Sequence, residues 1–379
     1  MADKTHIEWT DATWNPITGC SVVSPGCTNC YAMRLAGTRM KHHSSRQGLT
    51  RDSKAGPVWT GEVRFNMDWI EQPLTWTRPR RIFVCAHGDL FYEAVPDDWI
   101  AWVYGVAIAS VHLRGHTFQV LTKRAVRARD LLTSVAFWDQ ANDYASDYVM
   151  NRVDPLDRRR DDARASCDHY GPDSPPPGIW LGVSVEDQPR ADERIPILLD
   201  TPAAVRWVSA EPLLGPVNLT HVKMIDREME CGGWETGWES ALNGLRFDIW
   251  AGDDEDPMVP GSPKLDWVVV GGESGPGARP MHPDWVRQIR DDCAAAGVSF
   301  LFKQWGEWTP GENVERQTGR VEVADLVDDI DIRWEFAGEN LARQDGHIDD
   351  EPDLYRVGKR AAGRRLDGVI YDQYPGEKS

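Results

Sequence analysis

No stretch of about 18 consecutive apolar residues occurs in the 379-residue chain, which removes a membrane-spanning helix from consideration. The opening MADKTHIEWT has no basic segment followed by an apolar one, so a secretory signal peptide is not expected either. The protein is therefore read as cytoplasmic, with no membrane partner. Positive charge is short: 42 Lys and Arg stand against 60 Asp and Glu, a net charge of −18, which argues against a broad electrostatic hold on nucleic acid. No internal repeat marks a solenoid. No His/carboxylate group marks a hydrolytic metal site, which disfavours hydrolysis by a strand-end acid such as Glu211 or Glu273.

Cysteine is scarce as well, at seven residues. An odd count in a reducing compartment does not suit a disulfide framework. Yet Cys20, Cys27 and Cys30 fall within "TGCSVVSPGCTNCYAMRLAGTR" (18–39) as a C-x6-C-x2-C array. Cys85, Cys167, Cys231 and Cys293 are scattered, and Cys293 lies on a helical apolar stripe as a small core residue.

Apolar residues make up 41% of the chain, enough for one large α/β domain or two ordinary ones. Short apolar runs at 81–86, 117–122, 179–185, 205–210, 267–272 and 299–304 are β-branched or aromatic on successive positions, as strands covered on both faces are. A first short strand is expected near "HIEWT" (6–10). Helical patterns lie between, at 97–112 behind Pro96 and at 283–297, from Pro283 to a stop at Gly297. Strand, helix and strand in series predict a parallel sheet with right-handed crossovers. Segments 134–178 and 217–264, charged or rich in Gly and Pro, read as insertions. Basic stretches at 39–47, 78–81 and 122–129 read as solvated faces or loops.

In parallel α/β sheets function gathers at the carboxyl ends of the strands. There the sequence places the cysteine loop, then Asp89 and Glu93, then Thr122, Lys123 and Arg124, Ser184 and Glu186, Ser209 and Glu211, Glu273, and Lys303 with Gln304. These polar and ionisable groups are expected to line a single rim. Lys123 and Arg124 suit a phosphate or a carboxylate; the alternative is an exposed pair at a helix start. Trp234, Trp238, Trp305 and Trp308 lie in loops where they could stack on a base, although most of the 18 tryptophans are expected in the core.

Pro25-Gly26 forms a turn before Cys27, Thr28 or Asn29 can cap the following helix, and Cys30 then sits near a helix N-terminus that favours thiolate. Zinc is one occupant for such a loop, but structural zinc takes four ligands, and His6, His42 and His43 stand at no spacing that demands a role. A [4Fe–4S] cluster held by three cysteines, with one iron left open, accounts for the missing fourth.

The stretch "IEWTDATWNPITGCSVVSPGCTNCYA", with "DLF", "VLTKR", "GVSVE", "SAEPL", "VVVGGESG", "FKQWGEW" and "RVGKRAAGRRLDG", resembles a phage and bacterial three-Cys-motif family related in outline to radical S-adenosylmethionine enzymes. The resemblance implies an α/β fold, a partial TIM-type barrel of six to seven parallel strands with outer helices. Residues 1–308 would form it, with insertions at about 134–178 and 217–264, and 309–379 would be a C-terminal extension packing on it. It further implies a [4Fe–4S] cluster on Cys20, Cys27 and Cys30, S-adenosylmethionine on the open iron, an electron donor, and a 5′-deoxyadenosyl radical that takes hydrogen from a substrate.

The spacing departs from the C-x3-C-x2-C usual in such enzymes, and Asn29 stands where an aromatic normally precedes the last cysteine, so Tyr31 takes that place beside the adenine. Asp89, in "HGDLF" after the second strand, takes the place of the glutamate that meets the cofactor's amino group. The literal Gly-Gly-Glu at 271–273 follows a later strand, which leaves Glu273 as a substrate or ribose contact or a satisfied loop acid. Ser184, Glu186, Ser209 and Glu211 are assigned to ribose and carboxylate contacts, and Lys123, Arg124, Glu273, Lys303 and Gln304 to substrate. A nucleoside, nucleotide or nucleic-acid base is the expected substrate, in modification or repair. The alternative is a non-enzymatic zinc or Fe–S protein that binds nucleic acid or a partner.

Overall fold

The computed structural model describes residues 5–152, 167, 169–223, 227–228, 234–235, 237–244, 246–247, 263–314, 322–328, 332–337 and 353–376. Its main sheet has seven strands: β1 (Ala12–Trp14), β2 (Arg81–Val84), β3 (Thr117–Thr122), β4 (Ile179–Ser184), β5 (Arg206–Ala210), β6 (Trp267–Gly271) and β7 (Ser299–Gln304). They lie side by side in chain order from β1 to β7. That is the singly wound order of a partial (β/α) barrel, and it lacks the strand-order reversal of a doubly wound sheet. The expected fold class is the observed one.

All six apolar runs became strands within one or two residues of their expected bounds. β6 is buried at every position and β4 at all but one, as two covered faces require. The first strand differs: it forms at Ala12–Trp14, after "HIEWT". Asp11 explains the boundary, since its carboxylate accepts from the Arg81 amide at 2.8 Å and its own amide donates to the Arg81 carbonyl at 2.9 Å, so pairing with β2 starts there.

The chain divides into two compact units, Met1–Ser184 with Ile197–Trp207, and Val185–Pro196 with Val208–Ser379. In the first, β1 to β4 are parallel, so their carboxyl ends share one edge. Helix α1 (Tyr31–Gly37) follows the cysteine loop. Helix α2 (Asp97–Arg114) opens with Asp97 and Asp98 against the helix dipole and ends at Gly115, which is left-handed at φ 69°. Helix α3 (Ala125–Leu132) follows β3.

The first expected insertion begins as a helix, α4 (Val135–Arg152). It packs on α2: Trp102 stacks on Tyr144 at 5.4 Å and donates to the Tyr148 hydroxyl at 2.8 Å. Its apolar positions were overshadowed in the sequence by the charged residues after it, and 153–166 lie outside the described residues.

In the second unit β6 and β7 are parallel. Helix α5 (Gln188–Leu199) follows β4 in the chain. Helix α6 (Pro283–Ala296) starts at His282, whose Nδ1 accepts from the Asp284 amide at 3.2 Å, and buries Trp285, Ile289 and Cys293 before Gly297. Strands Trp308–Pro310, Leu354–Arg356, Val323–Asp328 and Arg333–Ala337 form a separate antiparallel sheet in that order. Beyond it the chain returns along β7, where the Phe302 amide donates to the Tyr371 carbonyl at 3.1 Å; this covers an edge that would otherwise offer unpaired groups. Among the described residues no helix is long and apolar enough to cross a membrane.

Candidate functional site

The cysteine loop is built from its glycines outward. Gly19 has φ 101°, and a Cβ there would sit 2.1 Å from the Glu62 carbonyl oxygen. Only glycine fits. The Gly19 amide donates to the His87 carbonyl at 3.3 Å, and Gly19 bridges Gly88, so Cys20 leaves from the carboxyl end of β2. Pro25–Cys27 form one 3-10 turn, with the Cys27 amide on the Ser24 carbonyl at 2.9 Å. Cys30 is the N-cap of α1, so Thr28 and Asn29 do not take that role. Its carbonyl receives the Arg34 amide at 3.1 Å.

All three thiols are free, and Cys20 and Cys30 pack on an apolar floor of Ala32, Met33, Ala36, Leu49 and Trp59. Burial pushes the Cys20 thiol up to about 12; Asp89, Cys30 and Cys27 add to the rise, while Arg124 opposes it. Burial also raises Cys30, against the amides of Met33 and Ala32 and the charge of Lys123. The three sulfurs thus share one electrostatic neighbourhood, with Arg124 and Lys123 as its cations.

Arg124 and Asp89 stand beside the loop. Asp89 accepts four hydrogen bonds, on Oδ1 from the Thr122 hydroxyl (2.7 Å) and the Phe91 amide (3.0 Å), and on Oδ2 from the Lys123 amide (3.0 Å) and Arg124 Nη1 (3.2 Å). A carboxylate has about four acceptor positions, so Asp89 is saturated by the protein. Arg124 Nη2 reaches across to Ser21, donating to its carbonyl at 3.0 Å and its hydroxyl at 2.9 Å. Burial acts to lower the Arg124 pKa, but Asp89 and the thiols outweigh it.

Of the other expected residues in the first unit, Tyr31 is 51% exposed, with its hydroxyl on the Ala86 carbonyl at 2.5 Å. Lys123 is partly buried and Ser184 is buried. In the second unit, Glu186 is wholly buried against Arg194 at 2.9 Å, which seals it from any ligand in this structure. Ser209 is buried on β5. Glu211 Oε1 takes the Lys303 ammonium at 2.6 Å, with Gln304 Nε2 at 3.5 Å. Glu273 is the satisfied loop acid of the two readings: Arg279 donates to it from its amide and Nε at 2.9 Å each and from Nη2 at 2.6 Å.

Other expectations change. Trp305 and Trp308 are 1% and 2% exposed, their indole N–H groups held by the carbonyls of Arg365 and Ala278, so they cannot stack on a base. Trp238 is partly buried, and the Trp234 side chain lies outside the described residues. The basic stretches are not merely solvated: Arg124 and Arg46 are buried, and Arg127 is tied to the carbonyls of Tyr92 and Val95 and to Asp97. Two residues that sequence reasoning passed over stand beside Tyr31. His87 rings with it at 6.0 Å, and Arg46 donates to His87. His87 carried a signal, two positions before Asp89 at a strand end; Arg46, 41 residues away in sequence, stood only as part of the basic stretch 39–47, with nothing to point it at His87.

Among the described residues no group of three or more His, Cys, Asp or Glu is drawn round a single metal ion. A one-ion Cys3His site is therefore not formed as the side chains stand. A cluster asks for something else, because its cysteines bind different irons and stand farther apart than the ligands of one ion. Three free thiols on one loop, with Arg124 and Lys123 as neighbouring cations that offset the charge of a thiolate set, are the donor set such a cluster would use. Cys85 has Asp89 and Arg46 as its charged neighbours and does not join them.

The family model described as "Protein of unknown function (DUF5131)" matches residues 4–375, nearly the whole chain, and the protein belongs to that family. Comparison with curated proteins and with solved structures gives no match.

Proposed function

We propose that this member of the family is a radical S-adenosylmethionine enzyme whose [4Fe–4S] cluster is held by Cys20, Cys27 and Cys30, acting on a nucleoside, nucleotide or nucleic-acid base in modification or repair. The observation that carries the reading is the set of three free thiols on one loop at the carboxyl edge of a singly wound parallel sheet. When bound, such a cluster supplies the electron for reductive cleavage of S-adenosylmethionine.

The chain's own part is to bind and to orient. The apolar floor under Cys20 and Cys30 keeps water from the sulfurs. Arg124 holds the loop at Ser21 and lowers the cost of the thiolates. Asp89, with its acceptors filled, serves as a positioning residue for Arg124 and Lys123 rather than as a bare carboxylate toward an amino group. Lys123 remains the cation for a ligand carboxylate or phosphate. In the second unit Glu211 and Lys303 hold each other as an ion pair, 19% and 13% exposed.

The test is purification without oxygen, followed by iron, sulfide and zinc analysis and spectra of the reduced protein with and without S-adenosylmethionine. About four irons per chain and a signal perturbed by S-adenosylmethionine are expected. Zinc without iron overturns the proposal and favours a structural clasp. A cluster indifferent to S-adenosylmethionine favours a non-enzymatic Fe–S protein.

A further inference from the structure

His87 lies in the tight turn after β2. Cys85 there has a left-handed backbone at φ 55°, a conformation that costs a non-glycine residue free energy and gathers at functional turns. The Gly88 amide closes the turn on the Cys85 carbonyl at 2.9 Å. The His87 amide donates to Asn15 Oδ1 at 2.9 Å, and its carbonyl receives Gly19. The backbone under the ring is pinned on both sides.

Among the described residues the ring has one hydrogen bond, between Nδ1 and Arg46 Nη2. A guanidinium has donors and no acceptor, so Nδ1 must be the acceptor. The neutral ring then carries its proton on Nε2. Arg46 is 2% exposed and pairs with no carboxylate among the described residues; its other contacts are the Ser45 carbonyl at 3.1 Å and the Trp69 ring at 5.8 Å. A buried cation is ordinarily matched by an acid, and this one is matched by an imidazole. Burial and the Arg46 charge hold His87 down to about 3, and burial brings Arg46 to about 10. Charged guanidinium and neutral imidazole therefore coexist at neutral pH. Tyr31 adds an exposed aromatic face beside the ring, inclined at 68° to it.

We infer that Tyr31 and His87 form a base-reading subsite, in which a planar heteroaromatic base stacks on Tyr31 and accepts a hydrogen bond from His87 Nε2–H, with Arg46 as the positioning residue that sets the tautomer. The inference rests on the proposed function for the place of Tyr31 beside a base, and adds His87 as the residue that demands an acceptor on its edge.

The experiment uses the full chain without iron. Nitrogen-15 NMR of histidine reads the tautomer, and calorimetry compares adenosine with its 1-, 3- and 7-deaza analogues, each lacking one ring acceptor. Expected are an Nε2–H tautomer in the wild type, loss of that single state in Arg46→Leu, and one deaza analogue bound about fivefold or more weakly than adenosine, as loss of one hydrogen bond implies. In His87→Phe that discrimination should vanish. An Nδ1–H tautomer, no adenosine binding, or equal binding of all four nucleosides by the wild type overturns the inference, and none of these three readings needs a variant to fold. A protein that loads iron and answers to S-adenosylmethionine while failing this test loses the subsite but keeps the proposed function. A protein that passes without ever loading iron does the reverse.

Discussion

Arg124 and Asp89 form a buried ion pair at 3.2 Å, with side chains 4% and 7% exposed, and the arginine's second nitrogen ends on Ser21 inside the cysteine loop. The carboxyl end of β3 is thereby bonded to the segment between Cys20 and Cys27. Removing one partner strands the other charge out of water, which costs about 3–5 kcal/mol. Asp89→Ala should lose stability on that scale in urea unfolding, and Asp89→Ala with Arg124→Leu should lose less than Asp89→Ala alone. A single variant as stable as the wild type would show that the pair holds nothing.

Iron content should separate the loop cysteines from the rest. Cys20→Ala, Cys27→Ala and Cys30→Ala should each fall from about four irons per chain to near none after anaerobic reconstitution. Cys293→Ala, buried in α6, should keep them. Equal iron in all four variants would detach the metal from the loop.

Two glycines with similar backbones should respond differently. Gly48 has φ 82° with open space where a Cβ would go, whereas Gly19 meets the Glu62 carbonyl. Gly48→Ala should cost about 1 kcal/mol, the price of a left-handed alanine. Gly19→Ala should cost more and also lower iron loading, because the Cys20 backbone must move. Comparable thermal shifts and full loading in both would refute the steric account.

Acid should weaken the fold through His87. An unfolded histidine takes up a proton near pH 6.5, while the folded ring, held at about 3 by burial and then by Arg46, does not. Its contribution is therefore present above pH 6.5 and is lost as pH falls towards 3, at up to about 1.4 kcal/mol per pH unit. Between pH 6.5 and 5 the wild type should lose up to about 2 kcal/mol more than His87→Phe. Parallel pH curves for the two proteins would remove this assignment.

The fold was legible where one physical rule governed a whole segment. β6, Trp267–Gly271, is apolar at nearly every position because both its faces are covered. Helix α6 announced itself with Pro283 and Gly297 at its ends. Helix α4 did not, because its buried positions meet α2 while charged residues crowd its C-terminal side. That three cysteines share one loop could be read from spacing alone. The saturation of Asp89 could not, since three of its four donors lie on β3 and just beyond, more than 30 residues away. Nor could the Arg46–His87 bond, which depends on two loops meeting. Trp305 and Trp308 misled because a sequence shows that a tryptophan lies in a loop, but not that the loop folds inward.

The chain-order arrangement of β1 to β7 bears on how the protein comes into being during synthesis. Each strand leaving the ribosome finds its neighbour already made, so the sheet can grow at one edge without waiting for distant sequence. The cysteine loop and its Asp89 and Arg124 clasp belong to the earliest third of that growth. A nascent chain can thus complete the cysteine loop well before β6 and β7 exist.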